Sequence, residues 1–573
     1  MSSLAAAERS IAPAAAGSSF ADRTFAFVER SHARACALLV LLSLACFLPG
    51  FVSLQPMDRD EPRFAQATKQ MLETGDFVDI RFQNEARHKK PVGIYWLQAA
   101  SVAAGEALGV PEARTTIWLY RAPSLIGAVA MVLLTYWAAL AFAGRREAFL
   151  AAAFMGASII LMVEARLAKT DAVLGACAVA AMGGLARAYF TRGIATLPLP
   201  TVLVFWLAVA IGVLVKGPLV PMFAALAVLA LFYRERSARW FLALRPWLGV
   251  ALVLLLALPW FVAIAVKSGG SFFSASVGQD MLGKVGTAQT YHWAPPGFYV
   301  VAFFATFWPA AILAVMAIPF AWRHRNDDRV AFALAWIVPS WLVFEAVPTK
   351  LPHYVMPLYP AIAIVAVLAL SRGFVRPDGP ARKIAALLIP FIPAGIMVGL
   401  AFAGKTLDGR MPWAGVAVMA LATLVALAAW WRFLRDEPGA AALLGIAASP
   451  ILALGIFAFT NPVLQSIQLS PRLAAVTRSL DCPDRWIGTF GYREPSLVFL
   501  VGTDLAMPAS PGEAAAFLKA GTCRMLFVDR RYEEAFRREI ERAGVRPALL
   551  TRLSGFNING GRRLEIAAYA VRP

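Results

Sequence analysis

Residues 92–108 read VGIYWLQAASVAAGEAL, an apolar run whose placement decides how the whole chain is threaded. Crossing a bilayer takes about 20 apolar residues, so this run sits at the short limit. If it crosses, Arg145 and Arg146, "YRERSARW" (233–240) and "WRHRNDDR" (322–329) all fall outside. That contradicts the tendency of short cytoplasmic loops to collect Lys and Arg. If it lies at the interface instead, every sign reverses together. The segment is therefore read as a juxtamembrane helix.

Working outward, 59% of the 573 residues are hydrophobic and only 16% are charged, where a soluble protein carries about 25%. Apolar runs of spanning length recur from Ala35 almost to Thr460, so the chain reads as a polytopic α-helical membrane protein. Residues 1–34, ending "ERSHAR", are expected to be a cytoplasmic tail. The first span, 35–54, has no small-residue cleavage site after it and reads as an uncleaved anchor. Further spans are expected near 121–143, 147–164, 172–189, 199–215, 218–233, 246–267, 297–321, 329–347, 354–371, 382–403, 413–432 and 440–459, about 13 transmembrane helices in all. The membrane domain is then 35–460, with a juxtamembrane segment 55–110 and a long loop 268–296 outside. The net charge of +19 would suggest nucleic acid in a soluble protein. Here it serves orientation, with a surplus for phosphates, and no nucleic acid is expected.

The tail, 461–573, has ordinary charge. Strand-length runs "RMLFVD" (524–529) and "RLEIAAYAV" (563–571) flank a helical pattern, "YEEAFRREIERAG" (532–544). It reads as a small soluble mixed α/β domain outside the membrane. Cys482 and Cys523 can pair there if that side is oxidising. Cys36, Cys46 and Cys177 lie in apolar runs as small core residues.

Ionisable residues are scarce inside the spans. An ion-coupled transporter needs acids or His near mid-membrane, yet Asp60, Glu61, Asp171, Lys216, Lys350 and His353 stand at outer helix ends. A site assembled from several outer loops follows. "DRDEPR" (58–63) brings Asp60 and Arg63, "RHKKP" (87–91) brings Lys89 and Lys90, and "TKLPHY" (349–354) brings Lys350, His353 and Tyr354. Basic groups at a bilayer surface bind phosphate through charge-assisted hydrogen bonds. Carboxylates beside a phosphate suit glycosyl transfer, as a base or against oxocarbenium-like charge. Singly, such residues also mark ordinary interfacial helix ends, which is the plainer reading of Lys216 in "VKGP" and His292 in "TYHWAPP". "DRDEPR" differs, because three acids in four residues repel one another without helping topology. Glu85, His88, Asp60, His292 and His353 are donors available to a divalent metal ion. No His-x3-His spacing identifies such a cofactor, and the metal stays open.

The run "DEPRFAQATKQMLETGDFVDIRFQNEARHKKPVGIYWLQA" (60–99), with "AKTDAVL" (168–174) and "KLPHYVMPLYPAIA" (350–363), resembles the aminoarabinose transferase group. That group belongs to glycosyltransferase family C, which includes the protein O-mannosyltransferases. Members share an Asp-Glu pair in the first outer loop, a "KP…YW" helix entry and a "K-L-P-x-Y" loop. The resemblance covers the whole chain and implies the 13 spans with a periplasmic carboxyl domain. It implies undecaprenyl phosphate carrying 4-amino-4-deoxy-L-arabinose as donor, and a lipid A phosphate as acceptor. The reaction would occur at the periplasmic face of a bacterial inner membrane and confer polymyxin resistance. By position it implies Asp60 and Asp171 as catalytic acids, and Arg63, Lys90, Lys350 and Tyr354 around the substrate phosphate. Glu61, Glu85, Lys89, Lys216 and His353 are further substrate-contacting candidates. This chain has "HKKP" where the enterobacterial pattern has "EKP", leaving Glu85 as a substitute acid.

A lipid A phosphate is already an anion at neutral pH, so that acceptor needs no general base. Asp60 would then orient the sugar or offset charge at the anomeric carbon. A hydroxyl acceptor, on a protein or another glycan, would need Asp60 as base. A single displacement with inversion is expected, in a large cavity that is apolar below and basic above. The loop 268–296 reads equally as a lid over it or as a fixed loop. A lipid flippase without chemistry is the other class of reading, and the scarcity of midplane charges argues against it.

Overall fold

The computed structural model describes residues 20–57, 59–192, 196–283, 293–482, 484–558 and 560–571. Each of the thirteen segments expected to span is helical. Among the described residues, nine stretches from Ile117–Ala139 to Pro438–Val463 are long and apolar enough to cross a membrane. The other four are short or broken. His32–Phe47 and Leu219–Glu235 have 16 and 17 residues. The segment 147–164 divides at Ser158 into Arg145–Ala157 and Ile159–Glu164. The segment 297–321 divides around Trp308 and Pro309 into Phe298–Thr306, Ala311–Met316 and Ile318–Arg323. A proline has no N–H for the helix, and its ring crowds the preceding turn.

The deciding segment is the helix Gly93–Ala107, and it lies across the ends of other helices. Gln98 Nε2 donates to the Ala168 carbonyl at 3.1 Å, and Ser101 Oγ donates to that of Leu119 at 2.7 Å. Its Gly93 approaches the end of helix Leu199–Lys216 so closely that a Cβ would sit 2.8 Å from the Leu214 carbonyl. Beside it runs helix Asp60–Thr74, joined by a 2.7 Å bond from Thr68 Oγ1 to Gln98 Oε1. The two helices form a platform over one end of the bundle.

One ion pair ties that platform down. Arg121, near the start of Ile117–Ala139, donates from Nε to Glu61 Oε1 at 2.7 Å and from Nη2 to Oε2 at 3.0 Å. Both side chains are 0% exposed. The remaining Arg121 N–H groups hold the carbonyls of Phe51, Leu54 and Gln55, so the chain leaving the first helix is fixed too. Glu61 also accepts from the backbone N–H of Met57 at 2.7 Å and of Ala168 at 3.0 Å.

The tail forms a four-stranded sheet in the order Trp486–Phe490, Arg524–Asp529, Arg562–Val571, Ala548–Asn557. The first pair is parallel and the others antiparallel. Helix Arg530–Arg542 lies where helical spacing was read, and Cys482 is bonded to Cys523. The sheet domain docks on the platform through helix Pro495–Val501. Phe499 is buried against Tyr120, ring centres 5.2 Å apart, and Gln66 Nε2 donates to Thr503 Oγ1 at 2.7 Å. Burial of that phenyl ring contributes about 1.5–3 kcal/mol.

Removing one partner of the buried pair strands the other charge. Glu61→Ala should cost on the order of 3–5 kcal/mol, read as a lower melting temperature in detergent. The double variant Glu61→Leu, Arg121→Met should lose less than the sum of the two single changes.

Candidate active site

A cavity of about 640 Å³ opens where several helix ends meet. Local chemistry explains why its charged residues stand there. Asp171 begins helix Asp171–Phe190, and Lys216 closes helix Leu199–Lys216. Acids are favoured at a helix N-terminus and cations at a C-terminus. Gly217, at φ +66°, then lets the chain reverse into Leu219–Glu235. The two ends face each other, with Lys216 Nζ 2.5 Å from Asp171 Oδ1. The Tyr354 ring centre lies 5.4 Å from the same ammonium. On the other wall Lys90 Nζ is 2.5 Å from Asp280 Oδ2, and Lys89 completes the basic end.

Much of the remaining lining is apolar: Met222, Phe223, Phe261, Phe272, Phe273 and Phe344. Three ammonium groups therefore face two carboxylates at the mouth of a greasy trench. An anion with a hydrocarbon tail is what such a shape accepts. Lys89 is exposed on one side and crowded on the others. That desolvation lowers its pKa, and the like charges of Arg87 and Arg63 add to the effect.

Asp171, Lys89, Lys90, Lys216, His353 and Tyr354 thus share one cavity. Asp60 and Arg63 lie outside its wall but within electrostatic reach of Lys89. The Asp60 side chain is half-exposed, and Arg63 Nη1 lies 3.7 Å from it. Three other candidates are elsewhere. Glu61 is enclosed by Arg121 and backbone N–H groups. Glu85 is exposed on the short hairpin Arg81–Phe82/Glu85–Ala86. Lys350 donates to the carbonyls of Glu345 at 2.9 Å and Val347 at 2.5 Å, closing the end of helix Asp328–Ala346.

Sequence reasoning missed Glu164, Lys169 and Asp280. Glu164 Oε1 lies 3.4 Å from both Lys169 Nζ and His353 Nδ1, while His353 Nε2 lies 3.5 Å from Asp171. Glu164, Lys169 and Asp171 all stand in the stretch 164–171, "EARLAKTD", where an acid ending an apolar run was the available signal. Asp280 gave none, standing 190 residues from its partner. In the loop 268–296, Phe272, Phe273 and Asp280 form cavity wall; residues 284–292, with His292, lie outside the described residues. Among the described residues no group of three His, Cys, Asp or Glu is arranged to hold a metal. His88 is engaged by Asp79 at 2.7 Å.

A family model described as dolichyl-phosphate-mannose-protein mannosyltransferase matches residues 56–270. A protein of Edwardsiella ictaluri named undecaprenyl phosphate-alpha-4-amino-4-deoxy-L-arabinose arabinosyl transferase is 26% identical, over 72% of this chain and 74% of its own. The like-named protein of Erwinia tasmaniensis is 25% identical, over 68% and 72%. The crystal structure of ArnT from Cupriavidus metallidurans bound to undecaprenyl phosphate superposes with a TM-score of 0.70, over 93% of this chain and 97% of that one, at 19% identity. By sequence along most of its length the chain is similar to these arabinosyl transferases, and along nearly all of it the chain shares the fold of the ArnT structure.

Proposed function

We propose that the chain is an integral membrane glycosyltransferase that moves 4-amino-4-deoxy-L-arabinose from undecaprenyl phosphate to a lipid A phosphate. The site would face the periplasm of a bacterial inner membrane, with the tail on the same side. The observation that carries the reading is the single cavity in which Lys89, Lys90 and Lys216 stand at the mouth of an apolar trench. The prenyl chain would lie among Phe261, Phe272 and Phe344, with its phosphate at the lysines and Tyr354.

In the transfer, an acceptor phosphate oxygen bonds to the anomeric carbon as that carbon's bond to the polyprenyl phosphate oxygen breaks. No proton has to move, since nucleophile and leaving group are both phosphates, and one displacement inverts the configuration. Lys90 and Lys216 exchange their carboxylate partners for the departing phosphate and hold its growing charge, a preorganised electrostatic role. Asp171, released from Lys216, faces the positive charge developing on the sugar or its ammonium. Asp60 and Arg63, just outside the wall, meet the acceptor.

The matched mannosyltransferase model supports a second reading, a hydroxyl acceptor on a protein with the same donor site and an acid acting as base. Mass spectrometry of lipid A from cells with and without the gene separates the two. The first reading expects a pentosamine-sized mass increase on lipid A that needs the gene; its absence would reject it.

Asp171→Asn and Lys90→Ala should each reduce that modification at least a hundredfold and abolish polymyxin resistance, with the protein still inserted in the membrane. Lys350→Met should instead lower the melting temperature while leaving undecaprenyl phosphate affinity within twofold, because its ammonium closes a helix. The lowered Lys89 pKa sets a pH dependence. The protonated form binds phosphate, so affinity should begin to fall below the ordinary lysine value of about 10.4. Lys89→Arg should move that loss to higher pH; identical titrations of the two proteins would contradict the assignment.

A further inference from the structure

We infer that a second chamber, between the membrane bundle and the tail, binds the sugar head group of the acceptor glycolipid; the inference rests on the transfer reaction proposed above. The chamber measures about 310 Å³ and takes its walls from both parts of the chain. Four carboxamides face it: Gln55 from the membrane side, Asn461 at the junction, and Gln468 and Asn557 from the tail. Rings come from Phe457, Tyr492 and Phe556, and one acid from Glu494.

That composition points to a hydroxyl-rich ligand. A carboxamide both donates and accepts, matching the two faces of a hydroxyl group, and aromatic faces cover the C–H surfaces of sugar rings. The two arginines in the wall are already engaged. Arg121 is held by Glu61, and Arg166 donates to the carbonyls of Pro49, Met162 and Cys46. The Gln468 Nε2 amide donates to the Asn461 carbonyl at 3.1 Å, while the Gln55 side chain bonds to no described residue.

Position supports the same ligand. At one end Glu494 holds Arg59 at 3.1 Å. The next residue is Asp60, and Arg63 one turn later reaches Lys89 of the donor cavity electrostatically. A group leaving the chamber there would meet Arg63, which is within electrostatic reach of Glu494 in the chamber wall and of Lys89 in the donor cavity. At the other end Phe556 is shared with a hollow where Arg530, Arg531 and Arg563 meet Asp529 and Glu565, beside Leu407 at a membrane-helix end. Three guanidinium groups against two carboxylates favour a further anion. A carboxamide-lined chamber with paired charges at one end and an arginine-rich hollow at the other suits a phosphorylated saccharide whose lipid chains stay in the bilayer.

The test uses the full chain in phosphatidylcholine nanodiscs and an acyl-free glucosamine disaccharide phosphate as probe, followed by saturation-transfer NMR. The wild type should bind the probe, and Gln55→Ala with Gln468→Ala should weaken it at least tenfold. Undecaprenyl phosphate affinity should stay within twofold, which shows that the variant is folded. In transfer assays on lipid A, the variant should raise the acceptor KM tenfold with the donor KM unchanged. Wild type that ignores the probe, or a variant that binds it as well as wild type, overturns the chamber whatever the transfer assay shows. Wild type that binds the probe yet transfers nothing to lipid A supports the chamber and rejects the reaction.

Discussion

The buried pair of Glu61 and Arg121 is the constraint on which the rest depends. Taking two charges out of water costs several kcal/mol per ion, which a lone contact does not recover. Here every polar direction is filled: Arg121 reaches three carbonyls besides the carboxylate, and Glu61 accepts two backbone N–H groups. Four pieces of chain are thereby fixed relative to one another: the exit of the first helix, the start of Asp60–Thr74, the start of Ile117–Ala139 and the turn 165–170. Asp60, adjacent to Glu61, and Asp171, just beyond the turn, inherit their positions from that junction.

Charge placement in the cavity follows from helix ends. A membrane helix tolerates a charge best at its terminus, where water and unsatisfied backbone groups are near. Bringing the end of one helix against the start of the next yields an opposed pair such as Lys216 and Asp171. These internal pairs offset much of the charge gathered beside hydrocarbon. They also hold the lysines where an incoming phosphate can take over from a carboxylate. Arg–carboxylate forks would resist such an exchange more than these single-point lysine contacts.

Much of this was legible in the chain. The marginal length of 92–108 and the signs of the loops located the platform helix, and the motifs at 87–91, 168–174 and 350–363 held most of the cavity's charged wall. What could not be read was direction. Asp60 and Glu61 are neighbours on one helix turn, yet they point to different surroundings, and only Arg121, 60 residues away, decides which one is buried. Lys350 looked like a phosphate ligand because nothing local reveals that its ammonium folds back on a helix end. Asp280 needed a contact across 190 residues. Arg121 itself was detectable, as a guanidinium inside an apolar run, which is costly unless a partner is buried with it.

The central claim is that lysines from distant segments gather around one lipid phosphate at the mouth of an apolar trench. A cryo-EM structure of the chain with undecaprenyl phosphate addresses it most directly. The account predicts phosphate density among Lys89, Lys90 and Lys216, with the prenyl chain running past Phe272 and Phe344. Phosphate density at another surface, with the trench empty or filled by one of its own side chains, would contradict it.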